Sequence, residues 1–189
     1  MARLYLIRHA RPATAWGSDD VDPGLDDTGH AQARAVAQKL LALPAGERPR
    51  SVIASPLRRC RETAQPLADA LGVAVQIDPA VGEIPTPTTL APAERPDWLR
   101  RAFASRWSDI HGDIDYEAWR GRVAEAVAGR SGAAVFSHFV AINAVLSKLA
   151  GEDAVVAFRP DHTSVTVLDA GPAGLSLIER GREAATGVL

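Results

Sequence analysis

The feature that most constrains this chain is a repeated alternation: short apolar runs with strand propensity, each followed by a stretch of helical periodicity. Leu4–Arg8, Ser51–Ala54, Val73–Ile77 and Ala133–Phe136 read as strands. A helix capped by Asp27 or Thr28 runs to about Leu43, with Ala31, Ala35, Leu40 and Leu43 roughly on one face. Ser55-Pro56 predicts a second helix start, because Ser caps and Pro is tolerated in a first turn, and Gly72 ends that helix. Trp98–Ile110, Asp115–Ala128 and Phe139–Leu149 read as three more helices, the last closed by Gly151. Thr163–Leu168 and Leu175–Glu179 flank a Gly171–Gly174 turn, the pattern of an edge hairpin. The expectation is an α/β three-layer sandwich: a mainly parallel central sheet, helices on both faces, and an antiparallel edge strand.

The chain has 189 residues, 47% of them apolar, which suits one domain spanning 1–189 with a real core. No internal repeat or linker divides it. The long segment Gly82–Pro96 carries four prolines and few apolar anchors, the composition of a lid or binding loop. Polar residues with turn signals fill Trp16–Gly24.

Strands one, two and four each stop at a polar cluster: Arg8-His9, Ser55 with Arg58 and Arg59 just beyond, and Ser137-His138. In a parallel sheet the carboxyl ends share one edge, and ligands bind in the crevice there. Two histidines and at least two arginines are therefore expected at one pocket. That set points to phosphate. Guanidinium groups match phosphate oxygens in pairs and stay charged, while the helices after Ser55 and Ser137 can add backbone N–H donors.

Other chemistries fit less well. The formal charge is −2, from 21 basic and 23 acidic residues, so the overall field draws neither nucleic acid nor an anionic membrane. The single Cys60 allows no internal disulfide, no apolar run is long enough to span a bilayer, and the N-terminus enters a strand without a signal-peptide pattern. A cytoplasmic protein is expected. A cysteine-phosphatase reading of Cys60 fails, since the position six residues on is Pro66 and not Arg. The five histidines lack paired metal-ligand spacing, so neither a metal nor another cofactor is expected.

The same residues carry a family resemblance. Leu-Ile-Arg8-His9-Ala is similar to the Arg-His-Gly signature of the histidine phosphatase (phosphoglycerate mutase-like) superfamily. Ser55-Pro-Leu-Arg-Arg59-Cys-Arg-Glu-Thr63-Ala64 resembles its second motif, and Phe136-Ser-His138 its third. Leu25-Asp-Asp-Thr-Gly29-His-Ala-Gln32-Ala33 resembles the stretch after its first loop, and Glu83 stands where the family places a proton donor. The match runs in order from about residue 4 to residue 168.

The resemblance implies a catalytic set of His9, Glu83 and His138. His9 would be the nucleophile that carries the phosphoryl group, Glu83 the acid and base, and Arg8, Arg59 and His138 the phosphate clamp. Ala10 in place of Gly, Arg11, Pro12 and Ala15, Ile84–Thr88 after Glu83, and Phe139-Val140 in place of Gly-Gly all depart from the pattern, on the side that selects substrate. Arg11 is equally a substrate contact or a solvated loop charge. His162 is a further candidate for lining the site, and Arg58 and Arg61 are expected to face solvent or the pocket rim.

The expected activity is metal-independent hydrolysis of a small phosphorylated metabolite. The alternatives are a phosphohistidine protein phosphatase, a mutase, and a non-catalytic module that binds a phosphorylated ligand.

Overall fold

A computed structural model describes residues 3–14, 20–171 and 174–185. The start of the Trp16–Gly24 loop, Ala15, and the tip of the Gly171–Gly174 turn lie outside them. Six strands form one sheet in the order β3-β2-β4-β1-β5-β6: β1 Arg3–Arg8, β2 Ser51–Ala54, β3 Val75–Ile77, β4 Ala133–Ser137, β5 Val165–Gly171 and β6 Gly174–Glu179. Strands β1 to β4 pair in parallel, while β5 is antiparallel to β1 and β6 to β5. The expected sandwich is present.

Side chains alternate across the sheet, as a pleated strand requires. Leu4, Leu6, Ile53 and Val135 join the core beneath α3 (Arg95–Phe103), α4 (Tyr116–Ala128) and α5 (Phe139–Ala150). Tyr5, Ile7, Val52, Ala54, Ala134 and Phe136 face the opposite core, beneath α1 (Asp27–Leu41) and α2 (Arg58–Leu71). Helix α5 is apolar on nearly every side and is buried from Phe139 to Ser147. Its two interior polar residues are satisfied: Asn143 Oδ1 accepts from Ala157 and Phe158 N–H, and Ser147 Oγ accepts from Trp107 Nε1.

Several local expectations change. Asp26, not Asp27 or Thr28, caps α1, its carboxylate accepting from Gly29 N–H at 2.6 Å, and the helix ends at Leu41. β3 begins at Val75, because the Val73 N–H turns back to Ala68 O to close α2 over the left-handed Gly72. The predicted helix Trp98–Ile110 stops at Phe103. Beyond it the chain is captured by the 153–155 segment, through Trp107 N–H to Asp153 O and Val155 N–H to Ser105 O. Trp107 is consequently in the core at 1% exposure. β5 runs antiparallel, so His162 precedes a strand that begins at the carboxyl edge of the parallel set.

Gly29 lies where α1 passes under the exit of β1. A Cβ built there would meet Arg11 O at 2.1 Å, whereas one at Gly46 meets nothing. Gly29→Ala should therefore cost about 1–3 kcal/mol in urea unfolding, as overpacking against backbone does, while Gly46→Ala stays near wild type. Equal stabilities for the two variants would show that the Arg11 turn yields freely.

Candidate active site

The carboxyl edge of the parallel strands gathers five of the predicted residues. Arg8 pairs with Ser137 in the β1–β4 register, so His9 and His138 leave adjacent strand ends and their rings sit 5.3 Å apart. Both are buried. Arg59 rises from the first turn of α2 and lies between them, with Nε donating to His9 Nε2 and NH2 reaching His138 Nδ1, each at 3.3 Å.

These contacts assign the tautomers. His9 Nδ1 is 2.8 Å from Ala10 O, which can only accept, so the hydrogen is on Nδ1 and the Nε2 lone pair points at Arg59. His138 accepts from Arg59 through Nδ1 and donates from Nε2 to Ser55 Oγ at 2.7 Å. Ser55 was expected to cap α2. Instead α2 starts at Arg58 without a side-chain cap, and Ser55 orients His138.

Thr63, one helical turn after Arg59, ties the cluster together. Its Oγ1 donates to Arg59 O and accepts from Ala10 N–H at 2.9 Å, fixing the turn that follows His9. Sequence reasoning quoted Thr63 within a motif but gave it no role. Only its one-turn spacing from Arg59 hinted at one.

Glu83 reaches the site from the loop after β3. Ser137 Oγ bonds Val81 O and holds that loop, and the Glu83 carboxyl accepts from Val140 N–H at 3.1 Å and Ile84 N–H at 3.0 Å. The start of α5 therefore supplies its N–H to a side-chain carboxyl. Cys60 is a free, buried thiol beside His138, and burial pushes its pKa up, which keeps it protonated.

Burial governs the titrations. His9 and His138 are held well below the ordinary histidine range by desolvation first, and by the Arg59 and Arg8 charges as well. Glu83 is pushed up by desolvation, against the two N–H donors and the two arginines. Burial also pulls Arg8 down to about 10, which leaves it charged at neutral pH. Arg8 bonds Pro160 O through NH1, while its Nε is buried without a partner.

Two open candidates separate. His162 comes to the site, its ring 5.8 Å from that of His9, and burial brings its pKa down to about 4. Arg11 turns away and pairs with Asp26 at 2.6 Å. Arg58 pairs with Glu62, and Arg61 is exposed to solvent. A cavity of about 400 Å³ meets the cluster at Arg59, Ser55 and Glu83, and the Pro-rich loop lines it through Ile84, Pro92 and Arg95. Neither Arg58 nor Arg61 lines it.

The sequence model of the histidine phosphatase superfamily (branch 1) matches residues 4–182. The chain belongs to that superfamily. Histidine phosphatase folds of similar architecture include a phosphoserine phosphatase from Entamoeba histolytica, solved with 3-phosphoglyceric acid, at TM-score 0.76 and 19% identity over 96% of this chain and 98% of that one. A mycobacterial glucosyl-3-phosphoglycerate phosphatase superposes at TM-score 0.69 and 22% identity, over 97% and 100%. At these identities the likeness is one of fold. A "Probable phosphoglycerate mutase GpmB" from Erwinia tasmaniensis is 36% identical over 89 residues, 44% of this chain. The chain spans 39% of the length of that relative in the match. Among the described residues no helix is long and apolar enough to cross a membrane.

Stability should report the buried neutral histidines. Unfolded histidines take up protons near 6.5, while His9 and His138 resist protonation in the fold, so the unfolded state binds protons first and stability falls as pH drops below that value. Each of the two buried rings contributes up to about 1.4 kcal/mol per pH unit in that window. His162 adds to the loss from that value down to about pH 4. Urea unfolding at pH 7, 6 and 5 checks this; a flat profile would mean that the rings are charged in the fold.

Proposed function

We propose that this protein is a phosphomonoesterase that transfers the phosphoryl group of a small metabolite to His9 and then to water. The observation that carries this reading is the His9 tautomer. Nδ1 is committed to Ala10 O, which leaves the Nε2 lone pair turned to Arg59, a residue that lines the cavity. His9 keeps that nitrogen unprotonated, and the donor it accepts from, Arg59, is a guanidinium that a phosphoryl oxygen competes for. The depressed pKa of His9 keeps it neutral and nucleophilic at working pH.

In the first step His9 Nε2 attacks phosphorus, the P–N bond forms and the P–O ester bond breaks. Glu83, which holds its proton more firmly than a free glutamate, gives that proton to the leaving oxygen. Arg8 and Arg59 bear the charge on the non-bridging oxygens, with neutral His138 placed beside Arg59, and the phosphoryl group takes over the donors that Arg59 directs at the two imidazoles. In the second step water attacks the phosphohistidine, Glu83 takes its proton, and P–N cleavage returns neutral His9 with inorganic phosphate. The arginines supply the positive charge, so the reading needs no metal. Phosphatases acting on phosphoserine and glucosyl-3-phosphoglycerate share the fold and support a small phosphorylated substrate.

His9→Ala should abolish both turnover and the acid-labile, alkali-stable label left by substrate phosphate. Glu83→Gln should cost about 10²–10⁴-fold with alkyl phosphates and less in the first step with aryl phosphates, whose leaving oxygen scarcely needs a proton. A label that is acid-stable, or that persists in His9→Ala, would place the phosphoryl group elsewhere.

The clamp is tested separately. Arg59→Ala should lower kcat/KM by about 10²–10³-fold, as loss of a donor to transition-state charge does, and Arg58→Ala by far less. Comparable losses for the two would mean that Arg59 is not the phosphate ligand.

A further inference from the structure

We propose that Tyr116 is a positioning residue for Glu83, and that its hydroxyl holds the carboxyl where it can protonate the leaving oxygen. The inference rests on the phosphatase reading above and adds a residue that does not itself line the cavity.

Glu83 sits on a segment that cannot brace itself. Pro85 and Pro87 have no backbone N–H, so the stretch from 84 to 88 cannot sustain a strand ladder and must be tied by donors from elsewhere. Two hydroxyls supply the ties. Ser137 Oγ donates to Val81 O at 2.7 Å, and Tyr116 Oη donates to Pro85 O at 2.9 Å. The carbonyls two residues before and two residues after Glu83 are thus both held. Val81 and Ile84 bury their side chains in the same core as Tyr116, on either side of Glu83. Asp113 adds an outer tie, accepting from Thr88 N–H and Oγ1, but it is exposed.

Packing fixes the direction of the Tyr116 hydroxyl. Tyr116 opens α4 and is 2% exposed, with its ring 5.6 Å from that of Trp98. Gly112 keeps the space beside the hydroxyl clear, since a Cβ there would come within 2.6 Å of Tyr116 Oη. Burial, helped by the Asp113 charge, pushes the phenol pKa up, so the group stays a donor. A phenylalanine would fill the same core volume, so packing alone gives the hydroxyl no role.

The tie bears on the acid through Ile84. Glu83 Oε1 accepts from both Val140 N–H and Ile84 N–H, and Ile84 is the residue joined to Pro85. If Pro85 swings away, Ile84 N–H moves with it, and the carboxyl loses one of the two donors that aim it. Misplacing a catalytic group by about 1 Å can cost up to about 10²-fold.

Tyr116→Phe removes the donor and keeps the ring. It should lower kcat/KM by about 10-fold on glycerol phosphate and by no more than about 2-fold on p-nitrophenyl phosphate, whose leaving oxygen scarcely needs a proton. In a Glu83→Gln background the same substitution should cost less than about 2-fold on glycerol phosphate, because the group through which it acts is gone. Equal losses on the two substrates, or an undiminished loss in the Glu83→Gln background, would overturn the proposal.

Amide hydrogen exchange needs no turnover and keeps the two readings apart. Val140 N–H lies in the first turn of α5, where no carbonyl of the helix can accept it, and the Glu83 carboxyl is its partner. Its exchange, followed by NMR, should be about 5-fold faster in Tyr116→Phe than in wild type, while that of Ile142, bonded to His138 O, stays the same. That result supports the tie even if no phosphomonoester is hydrolysed, in which case only the phosphatase reading falls. Val140 exchange at the wild-type rate overturns the proposal whatever the enzyme hydrolyses.

Discussion

The site depends on the register of β1 against β4. Tyr5 faces Ala134 and Arg8 faces Ser137, and each strand continues one residue into a histidine. A slip of one residue would exchange the two faces of β1, sending Leu4 and Leu6 under α1 and α2 and Tyr5 and Ile7 under the other helices. The two cores differ in size and shape, so the hydrophobic pattern locks the register. The His9–His138 separation is thereby set by packing in the middle of the sheet, far from any ligand.

Around that pair, burial acts on opposite kinds of titratable group with opposite results. The imidazoles lose their protons and the Glu83 carboxyl tends to keep its own, because in each case the charged form is the one that burial penalises. The arginines alone remain charged. The cluster is therefore net positive, matched in sign to a phosphoryl dianion. Neutral nitrogen is available at His9, and a proton is available at Glu83. Several uncharged side chains maintain this arrangement. Ser55 sets the His138 tautomer, Thr63 braces the turn after His9, and Ser137 holds the Glu83 loop.

The antiparallel end of the sheet adds a contribution that a purely parallel sheet would lack. Helix α5 carries the chain away from the carboxyl edge, and the 151–164 segment brings it back before β5 begins. The start of an antiparallel strand thus lies beside the ends of its parallel neighbours, and His162 stands against His9. Thr163, just after it, has φ 55°, a left-handed conformation that is strained for a β-branched residue and is held by its N–H to Arg8 O.

The sequence by itself determined the strand and helix order, the three polar strand ends and the pairing of Arg8-His9 with Arg59 and His138, because these follow from local periodicity and from the rule that parallel strands share one carboxyl edge. It also marked Glu83, through position in a motif. Only the tertiary structure decided how those groups are wired. Ser55 read as a helix cap because its neighbours in the chain favour one, yet its hydroxyl serves a ring 83 positions away. Trp98–Ile110 read as a continuous helix, since nothing local announces that residues 153–155 claim the backbone after Phe103. Arg11 and Arg95 look alike along the chain. One found a carboxylate at Asp26 and the other was left facing the cavity, a difference set by which charges the fold brings within a few ångströms, and side-chain partners at that range are not encoded in sequence spacing.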